Sequence, residues 1–235
     1  MVDGIVAEWR RRLSRNTVHS YTCQLRALLR TLAEHGAPKI IPPKVPSGKP
    51  REVLAQQKEI DAMLALAAPW LRLFILLCWQ TALRFSEALA VTPRSYDRET
   101  QTAAIRTKGG KVRVIAMTEG IAELIRPTLD YGDPDKPCIA LLKGSRCSPG
   151  AVRSAWYKLT KSLELTHINP HDLRRTTATA LYHASGHDIR AVQQYLGHDE
   201  MSSTLGYLAP LTAEKLGDLA SLLNFHKRTP KGPVQ

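Results

Sequence analysis

Apolar residues recur at helical spacing through the first 36 positions: Ile5, Trp9 and Leu13, then Val18, Tyr21, Leu25, Leu28, Leu29 and Leu32. That spacing predicts a pair of amphipathic helices, the second opened by Asn16 as N-cap and stopped by Gly36. The stretch APKIIPPKVPSGKPRE, residues 37–52, breaks the pattern with proline and lysine and predicts an extended linker. Helical patterning resumes at Val53, runs into the apolar segment Trp70 to Gln80, and is followed by a short helix in TALRFSEALAVTP. Between residues 95 and 117 the period shortens to alternation around Lys108-Gly109-Gly110-Lys111, the signal of a β-hairpin with Gly109-Gly110 as a two-residue turn. Gly132-Asp133-Pro134 and the stretch from Gly144 to Gly150 punctuate the next helical segments. Ser148 and Pro149 suit the N-cap and first turn of a helix reaching Leu163, with Trp156 and Leu159 inside. Asn169 and Pro170 open a further helix, ended by Gly186, and Ile189, Val192 and Leu196 form the buried side of another, stopped by Gly197. After Tyr207, LTAEKLGDLASLLNF reads as an amphipathic helix and HKRTPKGPVQ as a disordered tail. The organisation expected is a helical segment over 1–36, the linker over 37–52, one large domain over 53–225 and the tail over 226–235.

The chemistry-bearing residue types cluster late in the chain. In HDLRRTTATALYHASGHDIRAVQQYLGHDEMSSTLGY, His171 and Arg174 fall three residues apart on one helix face, and Arg175, four from His171, shares that side. His198 follows the stop at Gly197, and Tyr207 comes nine positions later. Arginine grips a phosphate through two parallel hydrogen bonds. A tyrosine hydroxyl is a nucleophile able to leave a covalent intermediate. Histidine handles protons or donates to a phosphate oxygen.

Charge adds a partner to this picture. The 235 residues carry 33 Lys and Arg against 21 Asp and Glu, a net charge of +12. Such a surplus fits a polyanion partner, most simply nucleic acid, although a basic solvated surface accounts for charge alone equally well. The basic groups recur along the chain: Arg10, Arg11, Arg12 and Arg15; Lys44, Lys49 and Arg51; Arg106, Lys108, Lys111 and Arg113; Lys227, Arg228 and Lys231. That distribution suits a protein that wraps its ligand, and the Lys-Pro linker reads either as a solvated tether or as a strap beside DNA. The four cysteines, Cys23, Cys78, Cys138 and Cys147, form no C-x-x-C pair and predict ordinary thiols in a reducing compartment. The start of the chain becomes charged too soon for a signal peptide, and the longest apolar run, Leu71 to Trp79, contains Arg72 and is too short to span a bilayer.

The segments HDLRRTTATAL, IRAVQQYLGH and Tyr207 after STLG closely resemble the C-terminal signature of the tyrosine recombinases, the phage-integrase and Xer-like family. TALRFSEALAV resembles that family's first catalytic box, T-G-L-R-x-S-E, with Ala82 where the family usually has glycine. SRNTVHSYTCQLRALLRTLAEHG resembles a helix pair of the family's N-terminal core-binding domain, which normally has more helices than fit here. The resemblance implies that Arg84, Lys108, His171, Arg174, His198 and Tyr207 are catalytic and that Glu87 supports Arg84. Lys108 would sit on a hairpin tip that enters the minor groove, with Lys111 as the second choice for the same role. By family analogy His171 rather than His198 takes the tyrosine proton.

The fold expected is mainly α with a small antiparallel β-sheet or hairpin: a recombinase catalytic domain preceded by a short helical segment. The function expected is site-specific DNA breakage and rejoining through a 3′-phosphotyrosine, without cofactor or metal. Arg10, Arg11, Arg12, Arg15, Lys44, Lys49, Arg106, Lys111, Arg113 and Arg175 are the candidate DNA contacts; Tyr21 reads as helix packing or as a further contact. Expected partners are double-stranded DNA, further copies of the chain in a tetramer on DNA and an accessory DNA-binding protein, with no membrane. The expected location is cytoplasmic, bacterial or phage-type, at the nucleoid. Two rivals stand beside it: a type IB topoisomerase-like enzyme that uses the same residues but rejoins the original strand, and a non-enzymatic DNA-binding remnant, suggested by the short N-terminal segment, that forms no adduct.

Overall fold

The computed structural model describes residues 2–48, 52–107, 110–145 and 147–197. They fall into two compact units, divided between Arg51 and Glu52.

The first unit is a helix pair, α1 (Val2–Arg12) and α2 (Arg15–Glu34), with an extended strap behind it. Ser14, not Asn16, caps α2, accepting from the Thr17 amide at 3.3 Å. Asn16 instead receives the amide of Gly48 at 2.6 Å. Residues 37–48 of the proline-rich stretch therefore do not run free as a tether. His19 Nδ1 meets the Val45 carbonyl at 2.6 Å, and Arg26 Nη2 donates to the Pro42 carbonyl at 2.7 Å. The core is small: Val6, Val18 and Val45 are buried, with Trp9 against them. Ile5 and Leu13, expected inside, are exposed, as are Leu28 and Leu32, because the helices meet along Val6 and Val18 rather than along the leucine stripe. Tyr21 packs edge-on against Trp9, with ring centroids 5.4 Å apart.

The second unit is built around one apolar helix. Residues 52–56 are extended, so the helix expected from Val53 begins later, as α3 (Gln57–Leu66). Pro69 then opens α4 (Pro69–Gln80), in which nine of twelve residues are buried. A helix apolar on every side must be enclosed. A short helix, α5 (Phe85–Leu89), follows it directly. A single 3-10 turn at Pro93–Ser95 leads to a three-stranded antiparallel sheet of β1 (Tyr96–Asp97), β2 (Thr102–Arg106) and β3 (Val112–Ala116), in that spatial order. Then come α6 (Glu119–Tyr131), α7 (Cys138–Lys143), α8 (Pro149–Ser162), α9 (Pro170–Ala184) and α10 (Ile189–Leu196). Helices α6, α7 and α9 pack on α4, as do α3, α5 and α8 over less of its length. Phe74 of α4 meets Phe85 and Trp156 edge-on, at 5.2 and 6.1 Å between centroids. Ser148 caps α8 as expected, accepting from the Ala151 amide, and Trp156 and Leu159 lie inside.

The hairpin turn differs from expectation. Arg106 pairs with Val112, and the Thr107 amide donates to the Lys111 carbonyl at 2.7 Å, so three residues, not two, lie between the closing pair. Among the described residues of the turn Gly110 has a positive φ, +82°, and its amide returns to the Thr107 carbonyl at 3.1 Å. Among the described residues no helix is long and apolar enough to cross a membrane.

Candidate active site

The end of α4 is where the chemistry collects. The last carbonyls of a helix have no partner within it. Here other elements supply the donors. The Thr177 hydroxyl of α9 donates to the Trp79 carbonyl, and the Tyr195 hydroxyl of α10 to the Gln80 carbonyl at 2.8 Å. Thr81 turns its own hydroxyl back to Leu77 at 2.5 Å. Ala82 then adopts φ +51°, a left-handed conformation that disfavours any side chain. This is the position at which the related motif carries glycine. Ala82 keeps its methyl because it is fully buried against Ala178, Val192 and Leu196.

The left-handed step delivers Arg84 to the N-cap of α5. Glu87, one turn on, accepts the Arg84 amide on Oε2 at 2.8 Å and its Nη1 on Oε1 at 2.7 Å. The pair that would be a weak surface contact on an ordinary helix is half enclosed, with Arg84 31% exposed and Glu87 only 4%. Burial alone would raise the Glu87 pKa. The Arg84 amide and guanidinium, with Arg174 nearby, outweigh it and hold the carboxyl below its ordinary range.

Helix α9 brings the second arginine. Its N-cap Asn169 accepts the His171 and Asp172 amides at 3.0 and 3.1 Å, and buried Asp172 returns a carboxylate to the Asn169 amide at 2.9 Å. Proline at the first position completes a well-specified start, which fixes the helix in register. His171 is exposed, whereas Arg174, one turn later, is completely buried. The Arg174 guanidinium donates to the Ala82 carbonyl through Nη1 and to the Leu196 carbonyl through Nη2 at 2.9 Å. Its Nη1 lies 3.9 Å from Glu87 Oε2. Two arginines 90 positions apart in sequence thus converge on one carboxylate. Although the residue is exposed overall, partial desolvation of its side chain, then Arg174 and Arg175, lower the His171 pKa and favour the neutral imidazole.

Other sequence-derived candidates separate into groups. Arg10, Arg11, Arg12, Arg15, Lys44, Arg106 and Lys111 are exposed, with Arg11 and Arg12 paired to Glu8 at 2.7 and 2.5 Å. Arg175 is not available as a surface contact: it is 6% exposed, because α9 is enclosed on that side too. Arg113 also turns inward, its Nη1 donating to the Tyr195 carbonyl. Lys49, Lys108, His198 and Tyr207 lie outside the described residues. Sequence reasoning missed Thr177 and Tyr195, whose hydroxyls fasten α9 and α10 to the end of α4. The one legible trace of Thr177 is its position three residues beyond Arg174, on the same helix face. Burial raises the Tyr195 pKa, and its hydroxyl is already committed to Gln80. Among the described residues no cluster of three metal-ligating side chains occurs.

A profile of the Phage integrase family matches residues 54–214. Tyrosine recombinase XerC of Rhizobium meliloti is 30% identical over 201 residues, which span 78% of this chain and 63% of that protein. Tyrosine recombinase XerA of Thermococcus onnurineus is 31% identical over 187 residues, 77% of this chain and 65% of that one. The chain therefore spans a little under two thirds of the length of these relatives. Among solved structures, the XerH site-specific recombinase bound to a palindromic difH substrate superimposes with a TM-score of 0.72 at 20% identity, over 95% of this chain and 69% of that one. The Tn1549 transposon integrase in complex with circular intermediate DNA gives 0.70 at 17% identity, over 94% and 83%. These likenesses establish a common fold with the mainly helical, hairpin-bearing architecture described above. With its matched segment covering both arginines, Glu87 and the α9–α10 signature, the chain belongs to the phage integrase family.

Proposed function

We propose that the chain is a site-specific DNA recombinase that breaks and rejoins strands through a 3′-phosphotyrosine on Tyr207. The observation that carries the reading is the convergence of Arg84 and Arg174 on Glu87, one helical turn from His171. Family membership and the DNA-bound state of related structures support it.

In the first step the Tyr207 hydroxyl oxygen attacks phosphorus. The new bond joins phosphorus to tyrosine, and the bond to the 5′ oxygen breaks. The tyrosine proton passes to a neutral imidazole, a role that suits His171 because partial desolvation and its arginine neighbours favour the neutral form. Lys108 protonates the departing 5′ oxygen. Arg84 and Arg174, with His198, neutralise the extra charge of the crowded phosphorus. A 5′ hydroxyl of another strand then reverses the step. One phosphodiester is exchanged for another, so the chemistry draws on no nucleotide cofactor. Double-stranded DNA is the substrate, and strand exchange requires several copies of the chain together. An accessory DNA-binding protein and a place at the nucleoid in the cytoplasm complete the reading.

The test is a DNA pool incubated with the protein and resolved on a denaturing gel, followed by sequencing of the trapped strand. Wild type gives a covalent adduct, Tyr195→Phe retains it if folded, and Tyr207→Phe binds DNA without one. Binding with no wild-type adduct would establish the non-catalytic alternative. An adduct that persists in Tyr207→Phe would overturn the assignment of the nucleophile. Relaxation of plasmid at no particular sequence, with the original strand rejoined, would identify a topoisomerase-like activity instead.

A further inference from the structure

Arg113 is an expensive residue for the place it occupies. It lies on β3, opposite Ile105, on the sheet face that also carries Ala103 and Ile115. Its guanidinium crosses to the end of α10, where Nη1 donates to the Tyr195 carbonyl. A methyl group on Gly197 would stand 3.1 Å from Arg113 Cδ, so the arginine stem lies flush against the residue that terminates α10. Nε and Nη2 are buried and find no hydrogen-bond acceptor among the described residues. A buried donor left without an acceptor keeps the full cost of leaving water. Burial also opposes the charge itself, which Glu87 partly supports and Arg84 opposes. Methionine would fill the same space without these penalties.

The location suggests what offsets them. β3 is the edge of the sheet, and Val112 and Val114 on its other face are 62% and 66% exposed. Towards the turn the hairpin has no apolar anchor beyond Ile105 and Ile115. Arg113 is the inward-facing residue two positions past Lys111, and its bond to α10 fixes the outer part of the hairpin against the helix that leads to His198.

We infer that Arg113 is a positioning residue. It holds the β2–β3 hairpin against the C-terminal end of α10, so that the general acid Lys108 at the hairpin tip is delivered to the departing 5′ oxygen. The inference rests on the recombinase reading for the identity of the acid, but the strut itself does not.

Two measurements on the full chain test it. The first is cleavage of DNA with an ordinary phosphate and with sulfur in place of the bridging 5′ oxygen, a leaving group that needs little protonation. Arg113→Lys and Arg113→Met should slow cleavage of the ordinary substrate by about a hundredfold, the scale of a misplaced catalytic group, with DNA affinity little changed. On the sulfur substrate both should return to near the wild-type rate. An equal defect on both substrates would overturn the inference and make Arg113 a phosphate contact or a purely structural residue. The second is amide hydrogen exchange without DNA. Arg113→Met and, independently, Gly197→Ala should accelerate exchange in residues 110–116 while leaving α4 protected. Unchanged exchange there would refute the strut even if the wild-type protein forms no adduct, which separates this failure from failure of the recombinase reading.

Discussion

Glu87→Gln is the most direct probe of how the two arginines are held. The amide has nearly the same shape and can still accept the Arg84 backbone N–H, so the start of α5 survives while the negative charge is lost. What remains is Arg174, fully buried, and Arg84, 31% exposed, with no carboxylate between them. Removing one partner of a buried ion pair costs about 3–5 kcal/mol. Solvent screening of the half-open Arg84 reduces that to about 2–3 kcal/mol. With a urea slope of about 2 kcal/mol per molar for a domain of this size, the midpoint should fall by about 1 M. The pH dependence distinguishes charge from shape. Glu87 has a folded pKa below its ordinary value, so its contribution is complete above the unfolded pKa and disappears as pH falls through the folded value. Wild type and variant should therefore differ most at pH 7 and converge only as the pH falls through the folded value, below which the wild-type carboxyl is itself neutral. Urea titrations followed by circular dichroism across that range make the measurement. A gap that persists unchanged at a pH below the wild-type protein's own Glu87 titration would assign the loss to packing of the amide and refute the electrostatic account.

Two further outcomes bear on the proposed chemistry. Arg174→Lys should slow adduct formation by about a hundredfold or more, since lysine cannot reproduce the planar fork, and a wild-type single-turnover rate would remove Arg174 from the reaction. Lys108→Ala should be rescued by the sulfur-bridged substrate while Arg174→Lys is not; equal defects of Lys108→Ala on the two substrates would move the acid elsewhere, with Lys111 the next to substitute.

The local grammar of the second unit was legible because its helix ends are chemically marked. Asn169-Pro170, Ser148-Pro149, Gly186 and Gly197 all stand where capping rules place them. The meeting of Arg84 and Glu87 could be read from their spacing, but the arrival of Arg174 could not, because nothing local encodes a contact across 90 residues. Alternation in Lys111-Val112-Arg113-Val114-Ile115 marks a strand without saying which side is inside. The two valines face out, and Arg113 goes in with Ile115, because α10 offers a carbonyl at that point. In the first unit the leucine stripe of α2 suggested a core. The actual contact follows Val18 and Thr22, and the strap over residues 37–48 covers what a longer apolar interface would have covered.

The hydrogen bonds of Arg174 bear on what the site can discriminate. Its Nη1 and Nη2 are already bonded to the carbonyls of Ala82 and Leu196. On the recombinase reading, a phosphate that displaces either carbonyl makes an exchange rather than a gain, since a hydrogen bond to a charged group is worth about 1.5–3 kcal/mol on either side of it. A ground-state phosphodiester, with its single charge, competes with two neutral carbonyl dipoles on modest terms. A five-coordinate phosphorus carrying more negative charge competes far better. The carbonyls thus act as a threshold: they reduce what the site gains from bound substrate and leave the larger share of the arginine's interaction for the state in which the bond is breaking, which is the difference that accelerates a reaction.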